Sequence, residues 1–163
     1  MGAIDELLAN ARRYADRFDR GELPQRPAKR VAVLVCMDAR LNPYGLLGLS
    51  EGDAHLLSNA GGVVTDDEIR SLAISQRLLG TEEIILIHHT DCGMLTLSDD
   101  DFRRQLEQET GVKPAWAVES FDDLEQDVRQ SIARIKASPF IPLKDKIRGF
   151  VYDVNTGGLT EVR

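Results

Sequence analysis

Apolar and polar positions fall into two rhythms along this chain. In residues 3–19, Ile4, Leu7, Leu8, Ala11, Ala15 and Phe18 recur at helical spacing while Arg12, Arg13, Asp16 and Arg17 fill the other face, which predicts an amphipathic helix. Gly21-Glu22-Leu23-Pro24-Gln25-Arg26-Pro27 cannot continue that helix, so residues 1–29 read as a helical arm with a stiff linker. The rhythm then changes. Arg30-Val31-Ala32-Val33-Leu34-Val35-Cys36 is a continuous, β-branched apolar run, suited to a strand buried on both faces. Asn42-Pro43 has the grammar of a helix start, and Ala54-His55-Leu56-Leu57 reads as a weaker strand. Thr65-Asp66-Asp67-Glu68 matches a capping box, followed by Ile69, Leu72, Ala73 and Leu79 on one side and a stop at Gly80. Glu83-Ile84-Ile85-Leu86-Ile87-His88 is the second strong strand. Residues 99–110 are expected to be helical. Ser120-Phe121-Asp122-Asp123 is expected to open a last helix, with Leu124, Val128, Ile132 and Ile135 on one side and Pro139 and Pro142 beyond its end. Phe150–Val154 and Leu159–Val162 flank Asn155-Thr156-Gly157-Gly158 as a hairpin.

Strands alternating with helices predict an α/β fold: a mostly parallel sheet flanked by helices, with the N-terminal helical arm and the C-terminal hairpin at the sheet edge. The 163 residues suit one domain, taken as residues 30–163 behind the arm. In such sheets ligands bind beyond the carboxyl ends of the strands. Three segments with chemical content each follow a strand: Cys36-Met37-Asp38-Ala39-Arg40, Asn59-Ala60-Gly61-Gly62 and His89-Thr90-Asp91-Cys92-Gly93. Three loops on one edge make one pocket.

Charge and composition narrow the partners. Twenty Lys and Arg against 27 Asp and Glu give a net charge of −7, the wrong balance for a phosphate-binding surface, so no nucleic acid is expected. No apolar run has the length of a membrane span. The start of the chain lacks the apolar stretch of a secretory signal and the hydroxyl residue of a myristoylation motif, so a cytoplasmic protein is expected. In that setting the two cysteines, Cys36 and Cys92, do not read as a disulfide framework.

Taken alone, Cys36 would be a small core residue and His89 ambiguous. Together the residues say more. His89 and Cys92 sit in one tight turn after a strand, and Cys36 ends the other strong strand. Two thiolates and an imidazole are a set that zinc favours. No third cysteine exists, His88 should point to the opposite face of its strand, and His55 lies near the start of its own. The fourth position is therefore left to water or to a nearby carboxylate, and an open position is the mark of a catalytic zinc. Asp38 and Arg40 read either as a simple ion pair shaping the loop or as a carboxylate held by a guanidinium fork beside the metal. Released from Arg40, Asp38 would serve as fourth ligand in a closed state. Asn59, Ala60, Gly61 and Gly62 are substrate-pocket candidates if their backbone approaches the site, and an ordinary turn otherwise.

C-M-D-A-R, N-A-G-G and H-H-T-D-C-G-M resemble the signature segments of the β-class carbonic anhydrases, C-x-D-x-R followed by H-x-x-C. The resemblance extends through Thr65-Asp66-Asp67 and Ser71-Leu72 and covers about residues 30–95. It implies zinc on Cys36, His89 and Cys92, Asp38 and Arg40 as catalytic dyad, a parallel-sheet α/β fold, and a homodimer or higher homo-oligomer whose N-terminal helix packs on the partner. Ser58 stands where many members have Arg, and Val33 where some have the Trp of a non-catalytic bicarbonate site. Gln25 is the candidate for the family's active-site glutamine. The expected activity is reversible hydration of carbon dioxide to bicarbonate and a proton by zinc-bound hydroxide. The rival readings are a COS or CS2 hydrolase of the same fold and a non-catalytic zinc protein with Asp38 as permanent fourth ligand. A redox protein or a cysteine phosphatase fits less well: there is no C-x-x-C, and the Cys36–Arg40 loop is short for a phosphatase.

Overall fold

The computed structural model describes residues 2–163. In chain order the elements are helix α1 (Ala3–Ala15), strand β1 (Val31–Cys36), helix α2 (Pro43–Leu47), β2 (Ala54–Asn59), α3 (Asp66–Arg77), β3 (Glu83–His89), α4 (Asp99–Thr110), α5 (Leu124–Ala137), β4 (Ile147–Tyr152) and β5 (Leu159–Val162). One sheet runs β2-β1-β3-β4-β5. The first four strands are parallel and β5 pairs antiparallel with β4, so the expected α/β class and the edge hairpin both hold.

The two continuous apolar runs lie at the centre because both of their faces are covered. Ala32 and Leu34 of β1 join Ile84 and Leu86 of β3 against Leu72 of α3 and Ile135 of α5. Val31, Val33 and Val35 join Ile87 on the opposite face, with Leu46 and Leu47 of α2, Phe150 and Leu159. Each fully buried Val, Leu or Ile among them contributes about 1.5–3 kcal/mol.

Helix ends follow local chemistry. The Asn42 side chain accepts a hydrogen bond from Gly45 N at 3.1 Å, with Pro43 in the first turn. Thr65 and Glu68 form the reciprocal capping box of α3. Several boundaries differ from expectation: β4 covers Ile147–Tyr152 rather than residues 150–154, α3 ends at Arg77 short of Gly80, and three more have a visible cause. The arm helix stops at Ala15 rather than at residue 19, because Arg17 N and Phe18 N bond back only three residues, to Tyr14 O and Ala15 O. Strand β2 runs on to Asn59, since its residues pair with β1 as far as Cys36. The last helix begins at Leu124. Its cap is Asp123, whose carboxylate accepts from Gln126 N at 2.9 Å, while Ser120 is bound to the carboxylate of Asp99.

The consequence for function is positional. Cys36 pairs with Asn59, and Val35 with Ile87, so β1 and β2 end level, β3 runs one residue further, and their three following loops share one edge.

Candidate metal centre

Cys36 is the last residue of β1, His89 the last of β3, and Cys92 follows the turn Thr90-Asp91. All three are buried, and their ligand atoms lie within 4.8 Å of one another. The two Sγ atoms are 4.0 Å apart and unbridged. His89 Nδ1 is 2.8 Å from Thr90 O. A carbonyl only accepts, so Nδ1 carries the hydrogen and Nε2 keeps its lone pair. That Nε2 is buried with no hydrogen-bond partner. An orphaned imidazole lone pair beside two thiols is what a bound metal would satisfy; the donor set fits.

Backbone N–H groups complete the sulfur environment. The main-chain N–H groups of Asp38 and Gly61 favour a thiolate at Cys36, and that of Met94 favours one at Cys92. The S–H of Cys92, helped by these amides, lowers the Cys36 thiol to about 5 against the cost of burial. Cys92 moves up instead, because it shares its proton with Cys36 and would ionise beside it in a buried place.

Asp38 stands at the rim, with Oδ2 3.7 Å from His89 Nε2. Arg40 grips it with Nε on Oδ1 at 2.9 Å, Nη2 on Oδ2 at 2.8 Å and its own backbone N on Oδ1 at 2.9 Å. This grip holds the Asp38 carboxyl well below the usual carboxylate range, so it is an acceptor only at any ordinary pH.

Of the Asn59–Gly62 segment, Ala60 and Gly61 line a cleft of ≈ 330 Å³ with Cys36, Met37, Met94 and Leu97. Asn59 and Gly62 act behind it. Asn59 O accepts from Met37 N at 2.8 Å, and its side-chain amide donates to Val63 O at 2.8 Å. Gly62, at φ +69°, packs so closely that a Cβ would lie 2.9 Å from Cys36 N and 3.1 Å from Ile87 O. Ala60 and Gly61 thus border the cleft, while Asn59 and Gly62 pack beneath it against the sheet.

The other histidines lie elsewhere. His88 is buried on the α5 side with Nε2 2.6 Å from Asp127 Oδ2, and His55 Nδ1 is 2.7 Å from Ser75 Oγ. Gln25 is exposed in the linker. The sequence reading missed two features. Asp91 bonds to Arg40, and its signal was a lone acid in the turn between two candidate ligands. Val118 and Phe121 pack against the Cys36–Cys92–Met94 cluster from a distant loop, and nothing local marks them. A wider cleft of ≈ 620 Å³ lies between α1 and α2 and includes none of these residues.

Known proteins are similar to this chain over most of its length. A family model described as "Carbonic anhydrase" matches residues 31–159. "Beta-carbonic anhydrase 1" of Mycobacterium tuberculosis is 58% identical over 162 residues, 99% of each chain. The chain belongs to the β-carbonic anhydrase family. A solved carbonic anhydrase from Streptococcus mutans superimposes with a TM-score of 0.92 at 45% identity, covering 100% of this chain and 99% of that one. A "Carbon disulfide hydrolase" of Acidianus is 33% identical over 94% of this chain and 85% of its own. In this β-carbonic anhydrase fold, the Cys36, His89 and Cys92 cluster occupies the carboxyl edge of the sheet, as the ligand rule for parallel sheets requires.

Proposed function

We propose that this chain is a zinc enzyme that reversibly hydrates carbon dioxide, with Cys36, His89 and Cys92 as ligands and Asp38 and Arg40 as the acting pair. The observation that carries this reading is the bare, buried Nε2 of His89, facing two thiols within 4.8 Å and the pinned Asp38 carboxylate at 3.7 Å. Zinc bound there supplies Lewis-acid activation of water near neutral pH.

The protein's own part is orientation and exclusion. Asp38 Oδ2 offers a fixed acceptor for the hydrogen of the attacking water, and Arg40 keeps that oxygen in place. Asp38 stays ionised, so it directs a proton without carrying it off. Released from Arg40, it would be the carboxylate able to close the fourth metal position. The apolar walls, Met37, Ala60, Met94 and Leu97, suit a small, weakly hydrated linear molecule. A second reading, hydrolysis of CS2 or COS, rests on the same walls and on the 33% identity to the Acidianus hydrolase.

A homodimer accounts for the arm. No residue of α1 is buried, and Ile4, Leu7 and Leu8 are 73%, 64% and 52% exposed, a stripe that a second copy would cover. A cytoplasmic location fits two unbridged thiols that work only when reduced. No helix among the described residues is long and apolar enough to cross a membrane.

The test is metal analysis of the purified protein followed by stopped-flow hydration of CO2 across pH, with CS2 run in parallel. Expected are about one zinc per chain and a rate that is low in acid and climbs above about pH 7. Arg40→Ala should keep zinc and lose most activity. A protein that binds no zinc, or a flat pH–rate profile, overturns the reading; faster CS2 turnover favours the second.

A further inference from the structure

The Arg40 guanidinium is held by two carboxylates, one on each side. Nε and Nη2 face Asp38, while Nη1 reaches Asp91 Oδ2 at 2.7 Å and Nη2 also reaches Asp91 O at 3.0 Å. Nearly all of its N–H donors are committed. Asp91 lies in the turn between His89 and Cys92, with φ +55°, a left-handed conformation uncommon outside glycine. That conformation presents both the carbonyl and the carboxylate of Asp91 to Arg40. The loop after β1 is thereby tied to the loop after β3, and both loops carry candidate ligands.

We propose that Asp91 is a positioning residue for the carbonic anhydrase reaction: it fixes the Arg40 guanidinium, and through it the acceptor oxygen of Asp38. An arginine with a single partner still rotates about its long stem. Clamped from the far side, it presents one fork in one plane. This inference rests on the hydration reading given above. The rival role for Asp91 is purely local, a residue that tolerates the left-handed turn.

Asp91→Asn separates the two roles, because Asn adopts that backbone as readily as Asp while removing the charged partner. With zinc content unchanged, kcat and kcat/KM for CO2 should fall together by about tenfold, with KM unmoved, as expected for lost orientation at the reacting centre. Asp91→Glu should recover most of the loss. In an Arg40→Ala background, Asp91→Asn should change the residual rate by less than about twofold, because coupled residues are non-additive.

A second readout needs no turnover. In metal-free protein labelled with 15N, the Arg40 Nη signals should be resolved in wild type by hindered rotation and merge in Asp91→Asn. Wild-type rates and resolved Arg40 signals in Asp91→Asn overturn the proposal, as does an equal loss in both backgrounds. A wild type that holds zinc but hydrates no CO2 defeats the functional reading alone, since the Arg40 signals still report the clamp.

Discussion

Replacing Gly62 by alanine tests how the metal edge is built. Gly62 has φ +69°, and its missing Cβ would sit 2.9 Å from Cys36 N, 3.1 Å from Ile87 O and 3.1 Å from Val35 C. All three are main-chain atoms inside the sheet, so none can swing aside. Gly48, the C-cap of α2, is the control: φ is +61° and nothing lies within 4 Å of its Cβ position. Gly48→Ala incurs only the left-handed strain, about 1.5 kcal/mol. Gly62→Ala incurs the same strain plus about 2 kcal/mol of overpacking, about 3.5 kcal/mol together. At about 3 °C per kcal/mol for a domain of this size, melting should fall by about 4 °C for Gly48→Ala and about 10 °C for Gly62→Ala. The assay is thermal unfolding of metal-free protein by circular dichroism, followed by zinc titration against a competing chelator. Gly62→Ala should also weaken zinc, because the clash falls on the backbone of Cys36, whereas Gly48→Ala should leave zinc affinity alone. Equal melting losses with unchanged zinc binding would refute the idea that Gly62 seats the first ligand.

Four further outcomes are expected. Cys36→Ser, His89→Ala and Cys92→Ser should each strip most of the zinc, read by elemental analysis; full retention in any one removes that residue from the ligand set. In metal-free protein Cys36 should alkylate with a midpoint near pH 5 while Cys92 stays inert to well above the normal thiol range, read by mass mapping after iodoacetamide. The depressed Cys36 value also makes stability pH-dependent: its contribution is complete above the unfolded thiol value of 9.0 and is lost as pH falls toward about 5, so chemical melts of metal-free protein should weaken over that window. Removing residues 1–23 should shift the protein toward monomer in light scattering, and an intact protein that is already monomeric counts against the arm as a dimer element.

The sequence was most legible where one residue and its neighbours decide the outcome. β1 and β3 are continuous apolar runs because they are covered on both faces, and His88 and His89 part company because successive strand residues point opposite ways. Cys36, His89 and Cys92 could be grouped from the rule that parallel strands gather their following loops at one edge. Where distant groups compete, local reading stopped. Ser120 resembles a cap, yet Asp99 takes it and leaves Asp123 to start α5. The Arg40–Asp91 bond depends on a left-handed residue in a remote turn, and the wall of Val118 and Phe121 on chain that returns after α4. No periodicity encodes such contacts.

The central pairing of β1 with β3 has a consequence for how the protein meets its metal. Cys36 and His89 project from neighbouring strands whose register is set by a ladder of main-chain bonds and an apolar core, both independent of any ion. In small zinc modules the ion organises the chain, and binding and folding are one event. Here the proposed ligands stand on a scaffold that would be a finished socket before loading. Metal should enter by docking, with selectivity exerted by a rigid bite distance and exchange governed by access through the cleft. Starved of metal, such a protein should persist as an intact reserve, ready to be charged.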